Sequence, residues 1–271
     1  MLHERIYLDN TDERVYIDAY VANDRSAPRN AMLVIPGGGY RNVCTDREGE
    51  PIALAFAARG YNCFVLIYRV SRDTDRYPAQ LVDASRAIVY IKDNAERFNI
   101  DPERVFTVGF SAGGHLSGSC AVLHKEPGVL DALGIEQGRN KPRASILAYP
   151  VVTAMAETHR SSFEFLLGMP FDEIPEDMKK KMSLEEAVDS DTAPMFIWHT
   201  VSDALVPCTG SLMLATACYR RGVPVTLRLY PYGPHGLALS TPMTMCGNPD
   251  YVQPIAEEWV DKACEWIDTL K

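Results

Sequence analysis

Residues Arg104 to Leu116 read RVFTVGFSAGGHL, an apolar run of strand type that passes through Gly109-Phe110-Ser111-Ala112-Gly113 directly into a helical pattern. Few segments restrict a chain so strongly. A G-x-S-x-G turn between strand and helix forces its Ser into a strained backbone conformation, and small residues at 109, 112 and 113 leave room for so tight a fold. The Ser111 hydroxyl is then expected above the carboxyl edge of a sheet, at the positive end of the following helix, where developing negative charge is stabilised. Two rival glycine-rich turns do not fit. A phosphate-binding loop needs Lys then Ser or Thr after its second Gly, whereas His115 and Leu116 follow Gly114; the spacing after Gly109 is not that of the dinucleotide fingerprint.

The rest of the chain supplies the sheet that this turn requires. Apolar runs at Val15–Val21, Ala31–Ile35, Asn62–Tyr68, Arg104–Phe110, Ala144–Tyr149, Pro194–His199 and Val225–Tyr230 read as strands. Amphipathic stretches lie between them, which predicts an α/β fold with a mostly parallel central sheet and helices on both faces. The clearest helix is expected from Pro78 to Phe98, where Leu81, Ala84, Ile88, Ile91, Ala95 and Phe98 recur three and four residues apart. Others are expected over Pro51–Arg59, capped by Gly60 in a left-handed conformation, from Ser111 onward, and over Thr209–Arg220 and Ile255–Leu270. Residues 153–193 break the rhythm. That insertion lacks a strong strand, holds the charged piece DEIPEDMKKK, and reads either as a lid over the loop edge or as a solvated helical excursion.

Length and charge narrow the function. With 271 residues, 46% hydrophobic and 23% charged, the whole chain is expected to form one domain around a continuous core. A net charge of -9, with Lys179-Lys180-Lys181 the main basic run, disfavours nucleic acid or anionic lipid as partner. Glu4, Arg5 and Asp9 interrupt the N-terminus where a secretion signal would be apolar, and no stretch is long enough to span a bilayer. The seven cysteines are odd in number and include no C-x-x-C pair. A cytoplasmic protein with neither disulfide framework nor zinc site is expected.

Ala31–Tyr40, AMLVIPGGGY, is a buried-type strand ending in three glycines. Backbone amides reach an oxyanion only where no side chain blocks them, so Gly38 and Gly39 are the candidate donors, together with Ala112. A serine hydroxyl also needs a base within hydrogen-bond reach and a carboxylate that orients that base. Of six histidines, His235 is the candidate, in the loop YGPHG after the strand VTLRLY, with flanking glycines that suit a mobile loop. His3 and His124 are poorly placed, His159 reads as a surface residue of the insertion, His115 as packing beneath the turn, and His199 as a satisfied core histidine. Asp203 follows the strand PMFIWHT and so shares the edge with Ser111 and His235; Asp189 and Asp191 precede that strand and belong at its other end. The chain order Ser, Asp, His suits the fold.

The segments PGGGY, YRV followed by YPAQLVDASRAIVYI, GFSAGGHL, WHTVSDALVP and YPYGPHGLAL together resemble α/β-hydrolases of the acetyl esterase group. Both acetyl xylan esterase-like and hormone-sensitive-lipase-like enzymes are similar, from about Ala31 to Leu239. Pro36 stands where the lipase-like relatives usually carry His, which leans the likeness towards the carbohydrate-esterase-like branch. The resemblance implies a serine esterase acting on small acyl esters, acetylated sugars or xylo-oligosaccharides foremost, without metal or organic cofactor. A peptidase or amidase of the same fold, formamide hydrolysis included, uses the same machinery and stays open, as does a non-catalytic ligand binder. A homodimer through the insertion or the last helix is a further possibility.

Overall fold

The computed structural model describes residues 1–9, 11–70 and 75–270. Eight strands form one sheet in the order β1-β2-β4-β3-β5-β6-β7-β8. They are β1 (Leu2–Tyr7), β2 (Tyr16–Val21), β3 (Arg29–Ile35), β4 (Asn62–Ile67), β5 (Ile100–Phe110), β6 (Ser145–Ala148), β7 (Met195–Thr200) and β8 (Val225–Tyr230). From β4 through β8 all neighbours are parallel, while β2 runs antiparallel to both β1 and β4. Each of the seven expected strands is present, with ends shifted by a few residues. β1 was not expected: only Ile6 of LHERIY is buried, so this edge strand lacks an apolar signal. It is held instead by backbone pairing and by Arg5 against Asp18 at 2.8 Å.

Helices cover both faces because the strands alternate their side chains. Leu33 and Ile35 pack with Phe64 and with Leu81, Ala84, Ile88 and Ile91 of α3 (Ala79–Asp93), and α5 (Ala112–Val122) joins them through Leu116 and Cys120. Met32 and Val34 point the other way, onto Ile52, Ala53 and Phe56 of α2 (Glu50–Ala57) and onto Trp259, Val260 and Ala263 of α11 (Trp259–Asp268). A third cluster joins Leu147 and Ile197 to Leu214 and Cys218 of α10 (Thr209–Arg221). Short helices fill the connections: α1 (Thr45–Glu48), α4 (Ala95–Phe98) and α6 (Pro127–Leu133). The insertion carries α7 (Arg160–Leu167), α8 (Glu176–Met182) and α9 (Leu184–Ala187).

Helix boundaries differ from expectation by one to several residues. The helix expected over Pro78–Phe98 breaks at Asn94, whose side chain bonds the Tyr90 carbonyl at 2.8 Å alongside its own backbone N–H at 3.1 Å. The turn's helix begins at Ala112, one residue after Ser111. The last helix begins at Trp259 because Ile255 is exposed and cannot anchor an apolar face. Gly60 does take the left-handed conformation, at φ +92°.

Past the end of β4, Arg69 binds Asp83 of α3 through its guanidinium, Nη2 lying 2.7 Å from Oδ1, while its backbone N–H donates to Oδ2 at 3.0 Å. The Asp83 side chain has no exposed surface. Breaking such a pair strands a buried charge, so Arg69→Met is expected to cost about 3 to 5 kcal/mol in urea unfolding. A loss well under 1 kcal/mol would show that Asp83 is stabilised without its arginine.

Candidate active site

The ends of β3, β5, β6, β7 and β8 gather on one edge, and the segments leaving them meet there. At the end of β5 the backbone turns at Ser111 with φ 53° and ψ -119°, a strained conformation for a residue with a side chain. Glycines make that turn possible. A Cβ at Gly109 would lie 2.1 Å from the Gly113 carbonyl oxygen, and one at Gly113 would lie 2.2 Å from the oxygen of Ile35. The start of α5 is therefore pressed against the end of β3, which brings Ser111 and Ala112 beside the glycine run.

His235 Nε2 lies 2.8 Å from Ser111 Oγ, and its Nδ1 lies 2.7 Å from Asp203 Oδ2. The three residues singled out from sequence are thus in one hydrogen-bonded chain. Asp203 is fixed by its own loop, since Oδ1 accepts the N–H groups of Leu205 and Val206, each at 2.9 Å. Burial opposes its ionisation, but hydrogen bonds from His199 and His235 prevail and hold the carboxyl well below the usual range. His235 sits between Gly233 at φ +138° and Gly236 at φ +86°. A Cβ at Gly233 would lie 2.8 Å from Leu237 Cδ1, so that glycine has a geometric reason to be there.

Among the described residues, the amides of Gly38, Gly39 and Ala112 donate to no protein acceptor. Gly38 and Gly39 line a cavity of about 300 Å³ together with Ser111 and His235. Unpaired amides beside a nucleophilic hydroxyl form the arrangement that an oxyanion needs.

The other histidines divide. His115 is buried, its Nε2 donating to the Met182 carbonyl at 2.8 Å and its Nδ1 accepting the Tyr40 hydroxyl at 2.7 Å; burial brings its pKa down to about 4. That is a packing role beneath the turn. His199 is satisfied in the core, yet its Nε2 also lies 3.3 Å from Asp203 Oδ2, a contact the sequence did not signal. Its tautomer follows from its neighbours: Nε2 donates to the Val206 carbonyl at 3.0 Å, which leaves Nδ1 to accept the Ser211 hydroxyl at 2.9 Å. His159 corrects the surface expectation. It is half-buried, lines the cavity with Ser161 and Phe165, and makes the insertion a wall of the site. His124, Asp189 and Asp191 lie together with Lys125 near the start of β7, away from this edge.

Glu48 also escaped sequence reasoning. Its carboxylate, 2% exposed, accepts the Gly37 N–H and the Tyr149 hydroxyl, each at 2.8 Å. Nothing in TDREGEP separates it from Asp46 and Glu50, both exposed.

The BD-FAE family model matches residues 17–218. The chain belongs to the BD-FAE family. The BD-FAE chain is 39% identical over 230 residues to endo-1,4-beta-xylanase B of Butyrivibrio fibrisolvens, covering 82% of this chain and 34% of that enzyme. It is 30% identical over 214 residues to an acetylxylan esterase of Xylanibacter ruminicola, covering 78% of this chain and 42% of that one. It therefore spans between a third and a half of these relatives' lengths. Among solved structures, an acetyl ester-xyloside bifunctional hydrolase from Caldicellulosiruptor lactoaceticus superposes with a TM-score of 0.83 at 30% identity, over 98% of this chain and 96% of that one. The fold of this BD-FAE member is that of the α/β-hydrolases.

Gly38 offers a test of the donor geometry. Its φ is +124°, and a Cβ there would stand 2.1 Å from the Asn42 carbonyl oxygen, so any side chain displaces the loop. Gly38→Ala is expected to lower kcat for ester hydrolysis at least about 100-fold, the effect of losing one oxyanion donor, while circular dichroism shows the fold intact. An unchanged kcat would remove Gly38 from the site.

Proposed function

We propose that this chain is a serine carboxylesterase that removes small acyl groups, acetyl foremost, from acylated sugars such as xylo-oligosaccharides. The unbroken chain Ser111 Oγ, His235, Asp203 beside three unpaired amides carries that reading. Ser111 Oγ attacks the ester carbonyl as His235 Nε2 takes its proton; the carbonyl electron pair moves to oxygen, where Gly38, Gly39 and Ala112 donate to it. As the intermediate collapses, the C–O bond to the alcohol breaks and the alcohol leaves with the proton from His235. Water then repeats the sequence, giving its proton to His235, and Ser111 recovers that proton as the acid departs. Asp203 keeps the imidazole in the tautomer whose Nδ1 carries hydrogen and stabilises it while charged.

The sugar part of the reading draws on the acetylxylan esterase and the acetyl ester-xyloside hydrolase named above, and on the walls of the cavity. Arg41, Arg47 and Ser161 offer donors suited to a hydroxylated alcohol, and Phe165 offers an apolar face. About 300 Å³ suits a small ester. The xylanase name does not carry over, because the match is confined to 34% of that enzyme. A reducing compartment, the cytoplasm, is the proposed location; burial pushes the thiols of Cys63 and Cys120 well up in pKa, to about 12 for Cys120, so they act as inert apolar fillers. Among the described residues no helix is long and apolar enough to cross a membrane.

Fluorophosphonate labelling of the wild type, absent in Ser111→Ala, is expected. Asp203→Asn should fold normally and lose about 10⁴-fold in kcat, because an amide permits the wrong tautomer. Acetylated xylo-oligosaccharides and p-nitrophenyl acetate are expected to exceed aminoacyl anilides in kcat/KM. A marked preference for the anilide would replace the esterase with an amidase.

A further inference from the structure

Glu48 has no task in the steps above, yet it stands between the two loops that those steps need. Its Oε2 holds the N–H of Gly37, the residue before Gly38. Its Oε1 accepts the Tyr149 hydroxyl, which itself accepts the N–H of Ala238 at 3.0 Å, three residues after His235. The Tyr149 ring also meets the His235 imidazole edge to face, with centroids 5.1 Å apart. A Cβ at Gly37 would lie 2.8 Å from Glu48 Oε2 and 3.1 Å from Ser111 Cβ, so carboxylate and nucleophile both press on this glycine. A buried carboxylate is costly unless its oxygens are satisfied, and here each oxygen has its own donor.

We propose that Glu48 is a positioning residue for acyl transfer. Its carboxylate fixes the glycine run that aims the Gly38 and Gly39 amides and, through Tyr149, the loop that carries His235. Its negative charge also favours the protonated imidazole that forms as Ser111 gives up its proton. The inference rests on reading Ser111 and His235 as nucleophile and base.

The charges around the pair are few. Asp203 binds Nδ1 of His235, the Arg47 guanidinium packs against Gly236, and His159 lies in the same cavity lining. Around Glu48 stand Arg47, Tyr149, Tyr68 and Cys44. Burial raises the Glu48 carboxyl, while Arg47, Tyr149 and the Gly37 amide pull it back towards ionisation. The sign of the expected pH effect follows from which form of His235 reacts. The base must be neutral to take a proton, and a nearby negative charge favours its charged form, so removing that charge extends activity to lower pH.

Glu48→Gln keeps the size of the side chain but removes the charge and one acceptor. It is expected to lower kcat for p-nitrophenyl acetate about 10- to 100-fold with KM little changed, the scale of a small misplacement of reacting groups. The acid limb of kcat/KM should move to lower pH. Tyr149→Phe keeps the charge and breaks the link to Ala238, so kcat should fall while the acid limb stays in place; it also carries the test if Glu48→Gln does not fold. Circular dichroism fixes a temperature at which the variants are folded. Wild-type labelling by a fluorophosphonate separates the two readings: a wild type that does not label defeats the esterase and this inference with it. A wild type that labels, with kcat and acid limb unchanged in Glu48→Gln, overturns the inference alone, and a fall in kcat with an unmoved acid limb overturns its electrostatic half.

Discussion

The approach of α5 to the end of β3 is the constraint on which the site depends. Gly113 lies where a Cβ would stand 2.2 Å from the Ile35 oxygen and 2.4 Å from that of Pro36, so helix and strand meet backbone to backbone. No larger residue permits this. The contact sets the Ala112 amide beside the glycine run, and it fixes how far Ser111 Oγ stands above the sheet. The strained φ of 53° at Ser111 is held by its surroundings: its N–H donates to Ala148 O at 3.0 Å, and its carbonyl accepts Val151 N–H at 3.1 Å and His115 N–H at 3.0 Å.

Electrostatics then follow from who shares Asp203. Its two oxygens face different demands, Oδ1 taking two backbone amides and Oδ2 facing two histidines. His199 is held in one tautomer, because its Nε2 hydrogen is shared between the Val206 carbonyl and Asp203 Oδ2 while its Nδ1 accepts the Ser211 hydroxyl. It acts as a fixed donor that helps keep Asp203 ionised although buried. A carboxylate so heavily donated to orients an imidazole without competing for its proton.

Much of this was legible in the sequence because it is local. The strand-to-helix turn at Ser111, the glycines at 37 to 39, and the loops after β7 and β8 each announce themselves in a few consecutive residues, and chain order supplies their common edge. Elements defined by distant partners were not legible. β1 is a strand because Ile6 pairs with Ile17 at an edge, and its own six residues carry almost no periodic signal. His159 reads as solvated because its segment is charged, but α7 turns it inward towards Gly39. Glu48 differs from its acidic neighbours only in being covered, and burial of one carboxylate among three is set by tertiary packing.

The same division separates chemistry from selectivity. Ser111, His235, Asp203 and the glycine amides sit on strand ends and tight turns, whose geometry varies little with the side chains around them. Most of the wall comes from elsewhere: Arg41, Cys44 and Arg47 from the segment before α2, and His159, Ser161 and Phe165 from the insertion, with Leu205 added by the Asp203 loop. The Arg41 guanidinium lies over the Phe165 ring, 5.7 Å from its centroid, so the two walls meet. A change at Arg41, Ser161 or Phe165 reshapes what the cavity admits, whereas Glu48, in the same segment as Arg41, ties that wall to the glycine run through the Gly37 N–H. Most of the lining side chains thus lie on loops that the tight backbone turn at Ser111 does not constrain, so the pocket walls can vary while the turn keeps its geometry.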